Sequence, residues 1–104
     1  MKTQRDKPWL VNFSGKADKQ AKKLPPDMRD RLYALRIDLE LTGPEQPSWR
    51  NYGPIRGAKD VHHCHLNSGY PRYVAVWKVI DRTIQLIEIR YVGPHGGVNY
   101  KLFK

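Results

Sequence analysis

The residues able to do chemistry crowd into one short stretch. His62, His63 and His65, three of the chain's four histidines, flank its only cysteine, Cys64. The fourth, His95, sits in Gly93-Pro94-His95-Gly96-Gly97, five residues before Tyr100. Arg72 lies seven residues after His65. Histidine titrates at about 6.5 when unperturbed, so near neutrality it serves as general acid, general base or metal ligand. Three readings stay open on residue types alone. His63 and His65, at i and i+2, could begin a zinc site. Zinc needs at least a third ligand, however, and His95 is the one candidate without a Cys-x-x-Cys or a second histidine pair. The pair could equally be plain exposed strand residues. Or it could belong to a metal-free acid–base site on a cationic surface.

These side chains must be positioned by strands. Residues 60–66, 72–80 and 83–92 carry the composition and alternation of β-strands, with turns at Asn67-Ser68-Gly69 and Asp81-Arg82. Such short connections predict an antiparallel meander. Alternate side chains of a strand point to opposite faces. Cys64 and Leu66 are natural core residues, so His62, which shares their face, becomes a partly buried histidine or lies at the sheet margin. Val61, His63 and His65 then share the other, open face, with the two histidines about 7 Å apart.

Upstream, residues 8–13 read as a first strand and Ser14 as the N-cap of a helix over 15–23, with a narrow stripe of Ala17, Ala21 and Leu24. Pro25-Pro26 ends that helix and starts another over 26–42. Its apolar stripe is Met28, Leu32, Leu35 and Leu39, widened by Ile37 and Leu41, and Gly43-Pro44 stops it. Residues 43–58 form a long loop, a length uncommon unless functional or well packed. Trp49, Tyr52 and Ile55 are expected to pin it to the core. The expected fold is α+β, in the order β-α-α-β-β-β. A helical hairpin packs on one face of a mainly antiparallel four-stranded sheet, in a single domain over 1–104.

Composition narrows the function classes. Nineteen Lys and Arg against ten Asp and Glu give a net charge of +9, which points to a polyanionic partner: RNA, DNA or an acidic protein. No apolar run approaches the roughly 20 residues that span a bilayer. The basic N-terminal stretch lacks the apolar segment of a signal peptide, and a lone cysteine cannot make an internal disulfide. A cytoplasmic protein with no membrane partner is expected.

On these residues the chain resembles the RelE branch of the RelE/ParE toxin superfamily. The resemblance rests on the element order and on the block HHCHLNSGYPRYVAVWKVIDRTIQLIEIRYVGPHGGVNY. The family pattern is a strand with alternating basic residues, an arginine opening the next strand, a later strand ending in Val-Gly, then a basic residue and a tyrosine. Here those are His63 and His65, Arg72, Val92-Gly93, His95 and Tyr100. The family's best-known members carry two lysines on the strand and an arginine in the last turn. All three positions are histidine in this chain.

The resemblance implies the toxin of a type II toxin–antitoxin pair: an endoribonuclease that cuts mRNA on the ribosome without metal or cofactor. It implies partners in the ribosome, its mRNA and an acidic cognate antitoxin. The catalytic set it points to is His63, His65, Arg72, His95 and Tyr100, with RNA contacts at Arg72, Lys78, Arg90 and Tyr91. Cleavage needs a base for the 2′-OH, cations for the phosphate and an acid for the leaving oxygen. His65 is the expected base, His95 the acid, and His63 a phosphate contact. Arg72, which cannot lose its proton, is the clamp, and Tyr100 stacks on a base or orients the 2′-OH. The competing classes are a ParE-like gyrase inhibitor of the same fold and an RNA-binding domain without catalysis.

Overall fold

Apolar side chains on both faces of residues 73–79 make this segment the middle strand of the sheet. The computed structural model describes residues 7–103. Residues 1–6, which open the basic stretch expected to lack a signal-peptide segment, and Lys104 lie outside the described residues. The elements are β1 (Leu10–Phe13), α1 (Gly15–Lys22), α2 (Pro26–Thr42), β2 (Gly53–Pro54), β3 (Val61–His65), β4 (Tyr73–Asp81) and β5 (Leu86–Pro94). Two short 3-10 turns follow, His95–Gly97 and Tyr100–Phe103.

The expected four-stranded sheet is corrected to a five-stranded mixed one, ordered β1-β5-β4-β3-β2. β1 pairs in parallel with β5, from Leu10 against Leu86 to Phe13 against Ile89. A parallel pair needs a long crossover, so no local turn signal announces it. β2 is only Gly53-Pro54, antiparallel to His63 and His62. Its composition is that of a loop, which is why sequence patterning passes over it. The β4–β5 turn is also longer than Asp81-Arg82. Asp81 Oδ1 accepts from the backbone N–H groups of Thr83 and Ile84, and Gln85 turns the chain at a positive φ of 57°. β5 therefore starts at Leu86.

Both helices cover one sheet face. Ser14 caps α1 by accepting from the Ala17 N–H at 3.1 Å. Ala17 is buried, and the lysines of this helix face outward. Met28, Leu32, Leu35 and Leu39 of α2 are buried against Cys64, Ala75, Trp77, Ile87 and Ile89. Ile37 and Leu41 do not widen that stripe. They are 36% and 68% exposed, because two residues of helix rotate a side chain about 200° away from its neighbour. Gly43 ends α2 at a φ of 91°, where a Cβ would also meet the Trp9 ring at 3.0 Å. Trp49 and Tyr52 pack on this core, and Trp49 Nε1 donates to Asp38 Oδ2 at 2.8 Å. Among the described residues no helix is long and apolar enough to cross a membrane.

One stability consequence follows from the cap. Ser14→Ala leaves the first turn of α1 without its side-chain acceptor. It is expected to lower the unfolding free energy by about 0.5–2 kcal/mol in a urea titration, with an unchanged m-value.

Candidate functional site

Strand alternation divides β3 between two environments. Cys64 enters the helix-side core, and burial pushes its thiol up to about 12, far from the reactive thiolate range. His62, on the same face, is also buried. Its ring lies nearly parallel to those of Tyr52 and Trp77, with centroids 5.9 and 6.1 Å away. His63 and His65 stand on the opposite face, across from Val76 and Val74 of β4.

That opposite face is not bare. Ile55, Val61, Val74, Val76 and Tyr91 form a second, smaller core, and Val98, Tyr100 and Phe103 pack onto it. The last 3-10 turn thus folds over the sheet and brings Tyr100 edge-on to His63, with ring centroids 5.5 Å apart. The preceding turn is tied down separately. The His95 N–H donates to the Arg72 carbonyl at 2.7 Å, and the His95 ring meets His65 edge-on at 5.4 Å. Tyr91 supports this turn through a hydroxyl that donates to the Pro94 carbonyl at 2.8 Å. A Cβ at either Gly93 or Gly97 would fall 2.9 Å from that hydroxyl oxygen, so the glycines make room for it.

The electrostatics differ between the two strand histidines. His63 Nδ1 lies 2.9 Å from the Gly53 carbonyl. A carbonyl only accepts, so Nδ1 carries the hydrogen and Nε2 keeps the lone pair. Burial pushes the His63 pKa below the ordinary imidazole value. The Gly53 hydrogen bond opposes this, and His62 and His95 add to it. The His65 pKa is also lowered, by burial first and then by His95, Arg72, His63 and Arg50. His65 is only 7% exposed. Its Nδ1 and the Nε of Arg72 are buried without a hydrogen-bond partner among the described residues, an uncommon state for polar atoms. The Arg72 guanidinium lies 4.8 Å from the Tyr70 ring centroid, and its Nη2 donates to the Tyr70 hydroxyl at 3.1 Å.

The five expected catalytic residues therefore gather as two adjoining groups. His63 and Tyr100 line a cleft of about 240 Å³ with Pro54, Ile55 and Arg56. Arg72 and His95 line a second, of about 290 Å³, with Tyr70, Pro71, Pro94 and Gly96. The expected RNA contacts other than Arg72 are more scattered. Lys78 donates to the Lys59 carbonyl at 3.1 Å. Arg90 is paired with Glu88 at 2.6 Å and borders a different cleft with Lys16 and Asn99. Tyr91 is buried, with its hydroxyl engaged as described. Sequence patterning missed Gly53, Arg56, Arg50 and Tyr70. The unusual length of the 43–58 loop was the available signal for the first three. Among the described residues no group of three or more His, Cys, Asp or Glu side chains is placed to hold a metal ion.

No protein-family model and no curated protein matches the chain by sequence. Solved structures do match. A mutant of E. coli toxin RelE in the free state superposes with a TM-score of 0.72 at 20% identity, over 92% of this chain and 93% of that one. The RelB–RelE antitoxin–toxin complex of Methanococcus jannaschii contains a chain matching with a TM-score of 0.66 at 18% identity, over 90% and 100%. A metal-bound toxin from Helicobacter pylori matches with a TM-score of 0.65 at 22% identity, over 88% and 99%. The fold of this chain is that of these RelE structures.

Proposed function

Built on the RelE-like fold, this chain is, we propose, the toxin of a toxin–antitoxin pair that cuts mRNA on the ribosome without metal. The observation that carries the reading is the pairing of His63 with Tyr100 and of His65 with His95, whose turn is tied to Arg72, as two adjoining groups in a protein with a net charge of +9. His63 Nε2 takes the proton of a 2′-OH. The freed oxygen forms a bond to the adjacent phosphorus. The bond from phosphorus to the 5′-oxygen then breaks, and His95 protonates that oxygen. The products are a 2′,3′-cyclic phosphate and a 5′-hydroxyl. Arg72 stabilises the charge that builds on the phosphoryl oxygens.

The geometry favours exchanging the roles first expected for the strand histidines. His65 is too buried to reach a hydroxyl and supports His95 by ring contact, whereas His63 borders a cleft with a defined lone pair. Tyr100 offers a ring on which a base can stack.

The antitoxin partner is supported by relatives of this fold that were solved as RelB–RelE complexes. This chain also carries a fitting surface away from the histidines. A cleft of about 230 Å³ is lined by Phe13, Leu32 and Tyr33 together with Lys22, Arg29 and Arg36. Apolar rings rimmed by cations suit an acidic amphipathic segment.

The test is induced expression with mapping of mRNA ends, followed by cleavage on purified ribosomes. Translation should arrest and mRNA should be cut within codons, at a rate unchanged when the protein is first stripped with EDTA, freed of chelator and then added to ribosomes in magnesium buffer. Arrest of growth with intact mRNA and poisoned gyrase would support the ParE-like alternative. A rate abolished by that stripping and restored by zinc would restore the metal reading.

A further inference from the structure

A second titratable cluster lies on the helix-side face, beneath the site, and the mechanism above does not use it. Arg82 holds Asp60 with two hydrogen bonds, Nε to Oδ2 at 2.8 Å and Nη2 to Oδ1 at 2.9 Å, and also reaches Glu45 at 2.9 Å. Asp60 Oδ1 is in turn 2.9 Å from His62 Nε2. A carboxylate accepts, so Nε2 carries hydrogen, and in the neutral ring Nδ1 is left to accept from the Tyr52 hydroxyl, 2.8 Å away. Arg82 lowers the Asp60 pKa first among several causes, which keeps that carboxylate an acceptor. The cluster is therefore directional, running from the β4–β5 turn through β3 to the residue before β2.

Its position in the register gives it a consequence. Tyr52 immediately precedes Gly53, and Gly53 and Pro54 face His63 and His62 across the β2–β3 ladder. β2 is two residues long, contains a proline, and is the outermost strand. So short a strand makes few ladder bonds of its own. Its flanks are tied to β3 by the Ile55 N–H donating to the Val61 carbonyl and the His65 N–H donating to the Arg50 carbonyl, both at 2.8 Å, and Asn51 and Asp60 sit at positive φ of 54° and 56°. On the helix side the Tyr52 ring packs on the core, and the Tyr52–His62 hydrogen bond is the polar side-chain tie next to Gly53.

We infer that Tyr52 and His62 act as positioning residues, holding the Gly53 carbonyl against His63 Nδ1 and thereby fixing the tautomer that leaves His63 Nε2 free. The inference deepens the nuclease reading in its catalytic part, and its structural part stands apart from that reading. Buried histidines commonly have their tautomer set by the partner of the other nitrogen. Here the partner is a backbone carbonyl, held by a clamp on the far side of the sheet.

The test is Tyr52→Phe, which removes one hydroxyl and keeps the ring packed on Trp77. Nitrogen-15 NMR of the free protein reads the His63 tautomer. The wild type is expected in the Nδ1–H form, and in Tyr52→Phe the two ring-nitrogen shifts should converge as both tautomers become populated. The single-turnover rate on saturating ribosomes should fall about 10- to 100-fold with ribosome affinity unchanged, the scale of a misplaced reacting group. His62→Gln with Tyr52 in place can still donate to Asp60 and accept from Tyr52, so it should keep both readouts near wild type, and His62→Leu should reproduce the loss. An unchanged His63 tautomer in both Tyr52→Phe and His62→Leu overturns the inference, whatever the rate does. A shifted tautomer in a protein whose wild type cuts no RNA supports the clamp and overturns the nuclease reading instead.

Discussion

In single-turnover reactions on ribosome-bound mRNA, His63→Ala and His95→Ala are each expected to cut about 10²–10⁴-fold more slowly than the wild type. His65→Ala should lose less, because its ring is buried behind His95 rather than open to substrate. The pH profile separates the roles. A base must be unprotonated, so the rate should fall as pH drops through the His63 pKa. Burial lowers that pKa, so the acidic limb should lie below the ordinary imidazole value of about 6.5. An acid must be protonated, so an alkaline limb should complete a bell. His63→Ala should remove the acidic limb and His95→Ala the alkaline one. Ribosomes must be saturating, since histidine charge also alters affinity for a polyanion. A wild-type rate flat from about pH 5 to 9 would mean that no histidine transfers a proton in the slow step.

Arg72→Ala is the second large effect, an expected loss of about 10²–10³-fold, the scale of removing one donor aimed at developing negative charge. Arg72→Lys should recover only part of it. Lysine keeps the charge but presents a point cation in place of a planar fork, and it loses the stacking on Tyr70. Ribosome binding measured on the same variants decides between mechanisms. If Arg72→Ala weakens binding and leaves the saturated rate intact, Arg72 is a docking contact and the phosphate is stabilised elsewhere. Tyr70→Ala is a useful companion, because it frees the guanidinium without removing it.

Strand alternation and helix periodicity are local properties, and they were legible in this chain. The period of two over residues 61–66 separates Cys64 and Leu66 from His63 and His65 with no knowledge of the rest of the fold. Met28, Leu32, Leu35 and Leu39 likewise define the buried side of α2, and Ser14 marks the start of α1. Ile37 and Leu41 misled because they are apolar yet sit off that side. Nothing in their immediate sequence says that the sheet beneath α2 covers only a narrow strip.

Everything that turns the histidines into a site depends on contacts between distant residues. A bulge in β5 pairs Val76 with Tyr91 but Trp77 with Ile89, so Arg90 is the extra residue. Strict alternation would put Tyr91 beside Ile89 in the helix-side core. The bulge sends it to the other face, where its hydroxyl supports the His95 turn. Likewise Gly53 reaches His63 only because a loop read as irregular adds a fifth strand, and Tyr100 reaches it only because the last turn folds over the sheet. The sequence by itself determined which side chains share a face in β3 and along the buried stripe of α2, since that needs only the repeat of the backbone. Tertiary structure decided which of them meet, which nitrogen of His63 is free and which histidine stays buried, because those follow from register and closure between segments tens of residues apart.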